Sequence, residues 1–333
     1  MNSRTMLGVA LASALAIASG VAALGPGLWA SNLAGVPTNG PGAASRPAAT
    51  VKVAAIQFMS EFGRPAENRK RLEPLIRQAA KAGAKIIVLP EAAITGYAST
   101  DLKQAWQLDG REMGEGLAGV SPKDAAETVP GESTRAMCKL AGELGIYLTV
   151  PLVEVDPKSG RYFNTIVLAG PKGEQLLHYR KLNPWPWAEK AWATKGDHGH
   201  QYIDTPYGRL ALLICYDINF EPPRLKEARI DVLLYCIAWV DRPNSDWYAR
   251  RLPAIARQNN FHIIGANWTV PAAPATGPAA SAPSSGPAIR KPDWYGYGQS
   301  RIISRDGEIL SKVGKDIGEE IIYAELPVPA GAP

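Results

Sequence analysis

Short apolar runs alternate with amphipathic segments along most of the chain. Residues 51–58, VKVAAIQF, form a continuous apolar run that is typical of a buried strand. Residues 65–83, PAENRKRLEPLIRQAAKAG, instead place apolar side chains three and four positions apart, which predicts an amphipathic helix. The apolar face of this helix comprises Leu72, Leu75, Ile76 and Ala79, and the glycine at position 83 is suited to close its C-terminus.

The same patterns predict further elements toward the C-terminus. Strands are predicted at 85–91, 146–155, 161–170, 175–181, 209–215, 231–240 and 261–268, and on both sides of the turn 305–308. Helices are predicted at 132–145, 222–230 and 244–260, the last with a kink at Pro253. Residues 98–130 show neither pattern and are predicted to be irregular.

This order of elements indicates a fold class and a single large domain. Strands that alternate with helices indicate an α/β fold, and the hairpins in the middle and at the end indicate mixed sheets. No boundary separates residues 51–328 into two domains. Within this domain, residues 271–292 are rich in Pro, Ala, Ser and Gly, which predicts a mobile surface loop of low complexity.

The N-terminal segment differs from the rest of the chain. Residues 1–24 combine Arg4 with the apolar run LGVALASALAIASGVAAL, which indicates a signal peptide or an N-terminal membrane anchor. Residues 25–50 are rich in Gly, Pro, Ala and Ser and are predicted to form a flexible linker. The protein is therefore expected to be exported, either periplasmic or secreted, with anchoring to the inner membrane as the alternative to cleavage.

Charge and cysteine content argue against several classes of protein. The chain carries 36 Lys and Arg against 31 Asp and Glu, a formal net charge of +5, and has no basic run. No nucleic-acid partner is therefore expected. The three cysteines, Cys138, Cys215 and Cys236, are too few for a disulfide framework. Cys138 is predicted to pack in the core from a helix, and Cys236 to be structural or adjacent to a pocket.

Three reactive side chains follow predicted apolar strands. Glu91 follows KIIVLP, Lys181 follows QLLHYR and Cys215 follows RLALLI. Each alone has an ordinary explanation, as a solvated loop residue or as a small thiol in the core. Together they fit acyl transfer through a thioester at the sheet edge where ligands bind. The carboxylate would be the base that deprotonates the thiol, and the ammonium group would stabilise the thiolate and an oxyanion.

The motifs around these residues resemble those of the nitrilase, or carbon–nitrogen hydrolase, superfamily. The resemblance lies in LPEAAITGY, YRKL and LLICYDINFEPPR, and it covers roughly residues 51–326. It implies a Glu–Lys–Cys triad of Glu91, Lys181 and Cys215, which requires no metal or other cofactor. It also implies a four-layer α-β-β-α sandwich that is paired into homodimers or larger assemblies. The second sheet of that sandwich is not visible in the sequence pattern alone.

The resemblance also implies roles for individual residues. Glu91 would take the proton of Cys215 and later activate a water molecule. Lys181 and the backbone N–H of Tyr216 would hold the oxyanion. Glu189 matches a second glutamate that positions the substrate in members of the superfamily, with an exposed surface carboxylate as the alternative interpretation.

Aromatic residues and an aspartate complete the predicted site. Trp239 follows a predicted strand and is a candidate substrate-binding residue. The predicted aromatic lining also includes Trp185, Trp187 and Trp268, although core packing explains each tryptophan equally well. Asp217 is expected to order the turn after the cysteine and not to act on the substrate.

The expected substrate is a small-molecule amide, cleaved to a carboxylic acid and ammonia or an amine. Tyr216-Asp217 after the cysteine resembles the residues found at this position in amidase-like branches of the superfamily. True nitrilases carry Trp-Glu at the same position. Nitrile or N-carbamoyl hydrolysis in the same site remains an alternative. A non-catalytic binding module of the same fold is an alternative of another class, but the presence of all three triad residues argues against it.

A cysteine–histidine enzyme is a further alternative. The chain has four histidines, at positions 178, 198, 200 and 262. His178 lies three residues before Lys181, so strand alternation would point it to the opposite face. His198 and His200 have no cluster of carboxylates or cysteines beside them in the sequence, which favours a loop over a metal site.

Overall fold

The computed structural model of the chain describes residues 49–96, 107–108, 111–112, 121–186, 189–239, 247–269, 298–315 and 318–331. The predicted segment 1–24, nearly all of the linker 25–50 and the loop 271–292 lie outside these residues, so those three interpretations stay predictions. Within the described ranges, no helix is both long enough and apolar enough to cross a membrane.

The described residues contain two large sheets and one small hairpin. The strands are β1 Thr50–Gln57, β2 Ile86–Val88, β3 Gln107–Leu108, β4 Arg111–Glu112, β5 Tyr147–Val155, β6 Tyr162–Ala169, β7 Gln175–Arg180, β8 Tyr202–Thr205, β9 Gly208–Ile214, β10 Val232–Ile237, β11 His262–Asn267, β12 Arg301–Ile303, β13 Ile309–Lys312 and β14 Glu320–Pro327. The first sheet has the order β14-β1-β2-β5-β6-β7, and the second has the order β13-β12-β11-β10-β9-β8. Strands β3 and β4 pair only with each other.

Alternation along β1 shows why the two sheets form a sandwich. Val51 and Val53 belong to the core that also contains Leu212 of the second sheet. Ile56 points to the other side of the first sheet and packs in the core with Leu72 of helix α1, Pro65–Lys81. Because successive strand residues face opposite sides, one strand supplies two cores.

The helices cover the outer faces of the sheets. Helix α3, Glu132–Leu144, shares the core of α1 on the first sheet. Helices α4, Pro222–Glu227, and α5, Leu252–Asn259, contribute Leu225, Leu252 and Ala256 to the core of the second sheet. The arrangement is the four-layer α-β-β-α sandwich that the sequence resemblance implied.

Two parts of the chain differ from the sequence prediction. The segment 244–260, predicted as a helix with a kink at Pro253, is helical from Trp247 to Asn259, but its first part, Trp247–Arg251, is a π-helical turn that runs directly into α5, with Pro253 in the first turn of α5. Proline has no N–H to donate, so it fits the start of a helix better than its interior. The predicted irregular segment contains the β3–β4 hairpin and helix α2, Pro122–Ala125, which Ser121 caps by accepting a hydrogen bond from Lys123 N.

Strand direction brings the predicted reactive residues to one end of the sandwich. β2 runs parallel to β5, and β7 has the same direction because two antiparallel pairings, β5–β6 and β6–β7, separate it from β5. The carboxyl ends of β2 and β7 therefore lie at one edge of the first sheet. Glu91 follows the former strand and Lys181 the latter.

Candidate active site

Cys215 lies at a sharp exit from strand β9. The strand ends at Ile214, and Cys215 begins a 3₁₀ turn that continues to Asn219. Its backbone φ is 39°, in the left-handed region that non-glycine residues rarely occupy. The carbonyl oxygen of Cys215 accepts a hydrogen bond of 2.8 Å from the hydroxyl of Tyr235. Such strained backbone persists only where surrounding contacts hold it, and it is concentrated at functional sites.

Asp217 supplies much of that support, as the sequence predicted. Its carboxylate is fully buried and accepts hydrogen bonds from the hydroxyl of Tyr179 at 2.6 Å and from the backbone N–H of Asn183 at 2.7 Å. The Ile214 N–H also points to it, at 3.4 Å. These bonds join the turn after β9 to strand β7 and to the loop that follows it.

Glu91 is buried between the two sheets and is held at both its backbone and its side chain. Its backbone N–H donates to the Ile237 carbonyl at 3.2 Å, and its carbonyl accepts from the indole N–H of Trp268 at 2.5 Å. Side-chain atom Oε1 accepts from Lys181 Nζ at 2.7 Å and from Asn164 Nδ2 at 2.7 Å. The other oxygen, Oε2, is buried and has no hydrogen-bond partner in the described part of the chain.

Lys181 joins the two buried glutamates of the site. Its Nζ lies 2.7 Å from Glu91 Oε1 and 2.7 Å from Glu189 Oε2. Burial would lower the pKa of Lys181, but the charges of Glu189 and Glu91 outweigh that effect and raise the pKa above its ordinary value. The side chain therefore stays an ammonium ion and can stabilise negative charge that develops beside it.

The thiol and the base carboxylate have protonation properties that suit general-base chemistry. Burial raises the pKa of the Cys215 thiol well above its ordinary value, and the charge of Glu91 raises it further. Burial also raises the pKa of Glu91, to about 7, although Lys181 opposes the rise. Near neutral pH the thiol is therefore protonated, while a substantial fraction of Glu91 is ionised and able to accept the proton.

Glu189 is part of the charged cluster and not an exposed carboxylate. The residue is fully buried, and its Oε2 accepts from the backbone N–H of Trp185 in addition to Lys181. The alternative interpretation as a surface carboxylate is therefore wrong. Asn164 of β6, which the sequence analysis did not single out, donates from Nδ2 to Glu91 and also to Glu189 Oε1. The sequence feature that could have identified Asn164 is its position as a polar residue within the apolar strand YFNTIVLAG.

The predicted substrate-binding residues Tyr216 and Trp239 follow β9 and its paired strand β10, respectively. Tyr216 is the second residue of the 3₁₀ turn, where a backbone N–H has no acceptor inside the turn and remains available for an oxyanion. Trp239 lies two residues after β10 and stacks on Trp247 at a centroid distance of 4.6 Å. The backbone of Ala238, between β10 and Trp239, acts to lower the pKa of the Cys215 thiol and so opposes part of the rise that burial causes.

The remaining predicted aromatic residues have different surroundings. Trp268 is buried, stacks on Phe62 at 5.4 Å and supports the Glu91 carbonyl. Its position is that of a packing residue that orients the carboxylate. Trp185 is half-buried and contacts Glu189 through its backbone N–H. Trp187 lies outside the described residues.

The histidines do not join Cys215 in a cysteine–histidine pair. His178 Nε2 lies 2.8 Å from Glu154 Oε2, on the other face of β7 from the triad. His200 Nε2 lies 2.7 Å from Glu221 Oε2, and His262 contacts Arg305. Across the described ranges, no group of three or more potential metal-ligating side chains is found. Cys138 and Cys236 are both buried and free, which agrees with the predicted core position of Cys138 and with a structural role for Cys236.

Comparisons with known proteins agree with this geometry. The carbon–nitrogen hydrolase family profile matches residues 52–331. The omega-amidase NIT2 of Bos taurus is 27% identical over 288 residues, covering 84% of this chain and 89% of its own. A nitrilase from Pyrococcus abyssi is 29% identical over 171 residues, which cover 51% of this chain and 57% of its own.

Solved structures show the same fold. An amidase from Nesterenkonia sp. is similar with a TM-score of 0.62 and 19% identity, over 83% of this chain and 90% of that chain. The family profile spans both sheets and all the residues that meet around Cys215. The chain therefore belongs to the carbon–nitrogen hydrolase family.

Proposed function

We propose that the protein is an amidase that hydrolyses a small amide through a thioester on Cys215. The main observation that supports this proposal is the hydrogen bonding of the Glu91 carboxylate. Two donors hold its Oε1, while its buried Oε2 has no partner among the described residues. An unpaired carboxylate oxygen in a buried site with a protonated thiol is suited to accept that thiol's proton.

In the first half of the reaction, Glu91 Oε2 accepts the Sγ proton as the sulfur of Cys215 attacks the amide carbon. The negative charge that forms on the amide oxygen is stabilised by Lys181 Nζ and the backbone N–H of Tyr216. When the C–N bond breaks, the leaving nitrogen takes the proton from Glu91 and departs as ammonia or an amine. The acyl group remains on Cys215 as a thioester.

In the second half, water replaces the departed amine. Glu91 accepts a proton from the water as the water oxygen attacks the thioester carbon, and Lys181 again stabilises the oxyanion. The C–S bond then breaks, the carboxylic acid leaves, and the sulfur of Cys215 recovers its proton from Glu91. One carboxylate thus serves both halves of the reaction.

An amide is favoured over a nitrile or an N-carbamoyl compound. The relatives named omega-amidases cover most of this chain and most of their own length, whereas the nitrilase from Pyrococcus abyssi matches only about half of each. Tyr216 and Asp217, which follow the cysteine, also agree with the amidase-like branches. The complete charged cluster around Cys215 argues against a non-catalytic binding module.

A screen for ammonia release tests this proposal. The panel contains short aliphatic amides, terminal amides of dicarboxylic acids, N-carbamoyl compounds and nitriles, and amides should give the highest kcat/KM. Cys215→Ala should lower kcat by more than about 10³-fold, whereas Cys138→Ala, a buried cysteine of α3, should retain activity. An acid quench during turnover should leave an acyl adduct on the peptide that contains Cys215. Amide hydrolysis at near wild-type rate by Cys215→Ala would contradict the mechanism.

We also propose that the protein is exported and then either released by cleavage or retained by an N-terminal anchor. The charged and apolar character of residues 1–24 supports this proposal. Intact-mass measurement of protein from the periplasm or medium should find a chain that has lost about 24 to 30 residues, and a membrane fraction should hold the uncleaved form if the segment is an anchor. Full-length protein found only in soluble cytoplasm would contradict both forms.

A homodimer or larger assembly is proposed on the resemblance to the family alone. Analytical ultracentrifugation of the exported protein at micromolar concentration would distinguish this from a monomer. Sedimentation as a monomer across that range would contradict it.

A further inference from the structure

Asn164 contacts the side chains of both buried glutamates of the site and the backbone of Lys181. It lies in β6, is 1% exposed, and donates from Nδ2 to Oε1 of Glu91 at 2.7 Å and to Oε1 of Glu189. Its backbone carbonyl accepts a 2.8 Å hydrogen bond from the backbone N–H of Lys181. One residue of β6 thus joins the two glutamate carboxylates to the backbone of the lysine.

The chemistry of this position favours an uncharged donor. Glu91 and Glu189 are two buried carboxylates that share a single ammonium group, Lys181. An asparagine NH₂ group has two donors, so it bridges both carboxylates without adding charge. The bridge also fixes the amide orientation, because a flipped amide would turn its carbonyl oxygen toward two carboxylates. Its Oδ1 correspondingly has no hydrogen-bond partner in the residues described.

The bridge determines which oxygen of Glu91 is free. Asn164 and Lys181 both donate to Oε1, so the carboxylate cannot rotate without losing two hydrogen bonds, and Oε2 is left as the oxygen for proton transfer. We propose that Asn164 is a positioning residue. It holds the Glu91 carboxylate in the orientation required for proton transfer from Cys215, and it fixes the position of the Glu189 carboxylate relative to that of Glu91. This inference rests on the proposed function, since it assigns Glu91 as the base.

The proposal has a consequence for pH dependence. Charge interactions link Glu91 to Lys181, Glu189, Cys215, Tyr235 and Cys236. Of these, only the lysine is a cation, and the hydrogen bond from the asparagine adds to its effect by lowering the pKa of Glu91. Removal of the asparagine donor should therefore raise the pKa of Glu91 and reduce the ionised fraction at neutral pH.

The test measures the rate at which iodoacetamide alkylates Cys215 as a function of pH, in the intact protein and without substrate. Asn164→Leu removes both donors while approximately keeping volume, and Asn164→Ser keeps a polar group that is too short to bridge two carboxylates. Thr165→Val is the matched control. Thr165 is the next residue of β6, is also fully buried, and donates to Glu154 at 2.6 Å on the opposite face of the strand.

The rate of wild-type alkylation should increase with pH as Glu91 ionises, which gives an ascending limb in the pH–rate profile. Glu91→Gln should abolish that limb. In Asn164→Leu and Asn164→Ser the limb should move upward by about one pH unit, which makes both variants about tenfold slower at a pH below the limb. Thr165→Val should keep the wild-type limb even if its unfolding temperature falls. An unshifted limb in a folded asparagine variant, or the same shift in Thr165→Val, would overturn the positioning role.

This readout separates the inference from the proposed function. If wild type alkylates with the Glu91 limb but releases no ammonia from any amide, the amidase proposal fails while the role of Asn164 remains testable. If Asn164→Leu does not fold, Asn164→Ser gives the same comparison. For amide turnover, the asparagine variants should lower kcat more than they change KM, because the carboxylate orientation matters most in the transition state.

Discussion

Glu91 and Lys181 illustrate how burial sets the chemistry of single side chains. Both residues are almost completely buried, and an isolated charge in such a place would be strongly unfavourable. Their direct contact at 2.7 Å compensates for part of the lost hydration, yet burial still raises the pKa of Glu91 to about 7. A carboxyl group with that pKa can gain and release a proton during each turnover near neutral pH.

The pH dependence of amide hydrolysis should report this shifted pKa. Glu91 must be ionised in the free enzyme, so kcat/KM should fall as pH decreases through about 7, the pKa of Glu91. The thiol of Cys215 stays protonated over that range and should add no limb. Glu91→Gln should abolish turnover while the protein still folds. A limb near the ordinary glutamate pKa of about 4.3 would contradict the assignment.

Among the structural elements, the turn after β9 depends on contacts from both sheets. Asp217 joins this turn to Tyr179 of β7 and to the backbone of Asn183, while Tyr235 of β10 holds the Cys215 carbonyl. These bonds compensate for the strained backbone at the cysteine. The triad geometry therefore requires both sheets to be in place.

Removal of the Asp217 carboxylate should destabilise the protein and misplace the nucleophile. Asp217→Ala leaves the Tyr179 hydroxyl and the Asn183 N–H without their acceptor, and each buried unpaired donor costs about 1–3 kcal/mol. We expect the free energy of unfolding to fall by about 3 kcal/mol and kcat to fall more than KM changes.

Denaturant unfolding and steady-state kinetics measure these two effects. Asp204→Ala is the control, because Asp204 is exposed and pairs with Arg209 on the surface. The control should leave the unfolding midpoint nearly unchanged. An Asp217→Ala protein with wild-type stability and kcat would show that the turn needs no such support.

At the scale of the whole molecule, the loop 271–292 should be dispensable for folding. The loop lies between β11 and β12, and these two strands pair antiparallel to each other. Beside this pair, the backbone N–H of Gly298 donates to the carbonyl of Trp268. The two ends of the connection therefore lie close together, and a much shorter connection can join them.

A deletion of residues 271–292 should keep the thermal unfolding temperature within a few degrees of the full-length value, because loop-closure entropy changes only slowly with loop length. Differential scanning calorimetry on both proteins measures this. A matched deletion that removes Trp268 should be strongly destabilising, since this side chain packs against Phe62 in the interior. Failure of the 271–292 deletion to fold would show that the loop contributes to the core.

The helix predicted at 244–260 shows a limit of sequence patterns. Apolar residues at helical spacing run through this segment, but the π-helical turn ends at Arg251 and α5 begins at Leu252. Pro253 lies in the first turn of α5, where it needs no N–H donor. Periodicity predicted the helix and the proline predicted an irregularity in it, but neither pattern showed that the turn before Pro253 is π-helical.

Local sequence patterns predicted most of the strands and the three strand ends that carry Glu91, Lys181 and Cys215, and the resemblance to the family implied the order of the layers. Those features depend on local alternation and on short motifs. The burial of Glu189 and the bridge that Asn164 forms from it to Glu91 are visible only in the folded chain, as is the difference between the two oxygens of Glu91. The physical reason is that Asn164 and Glu91 are 73 positions apart in the chain, and their hydrogen bond exists only after two strands of the first sheet have taken their places.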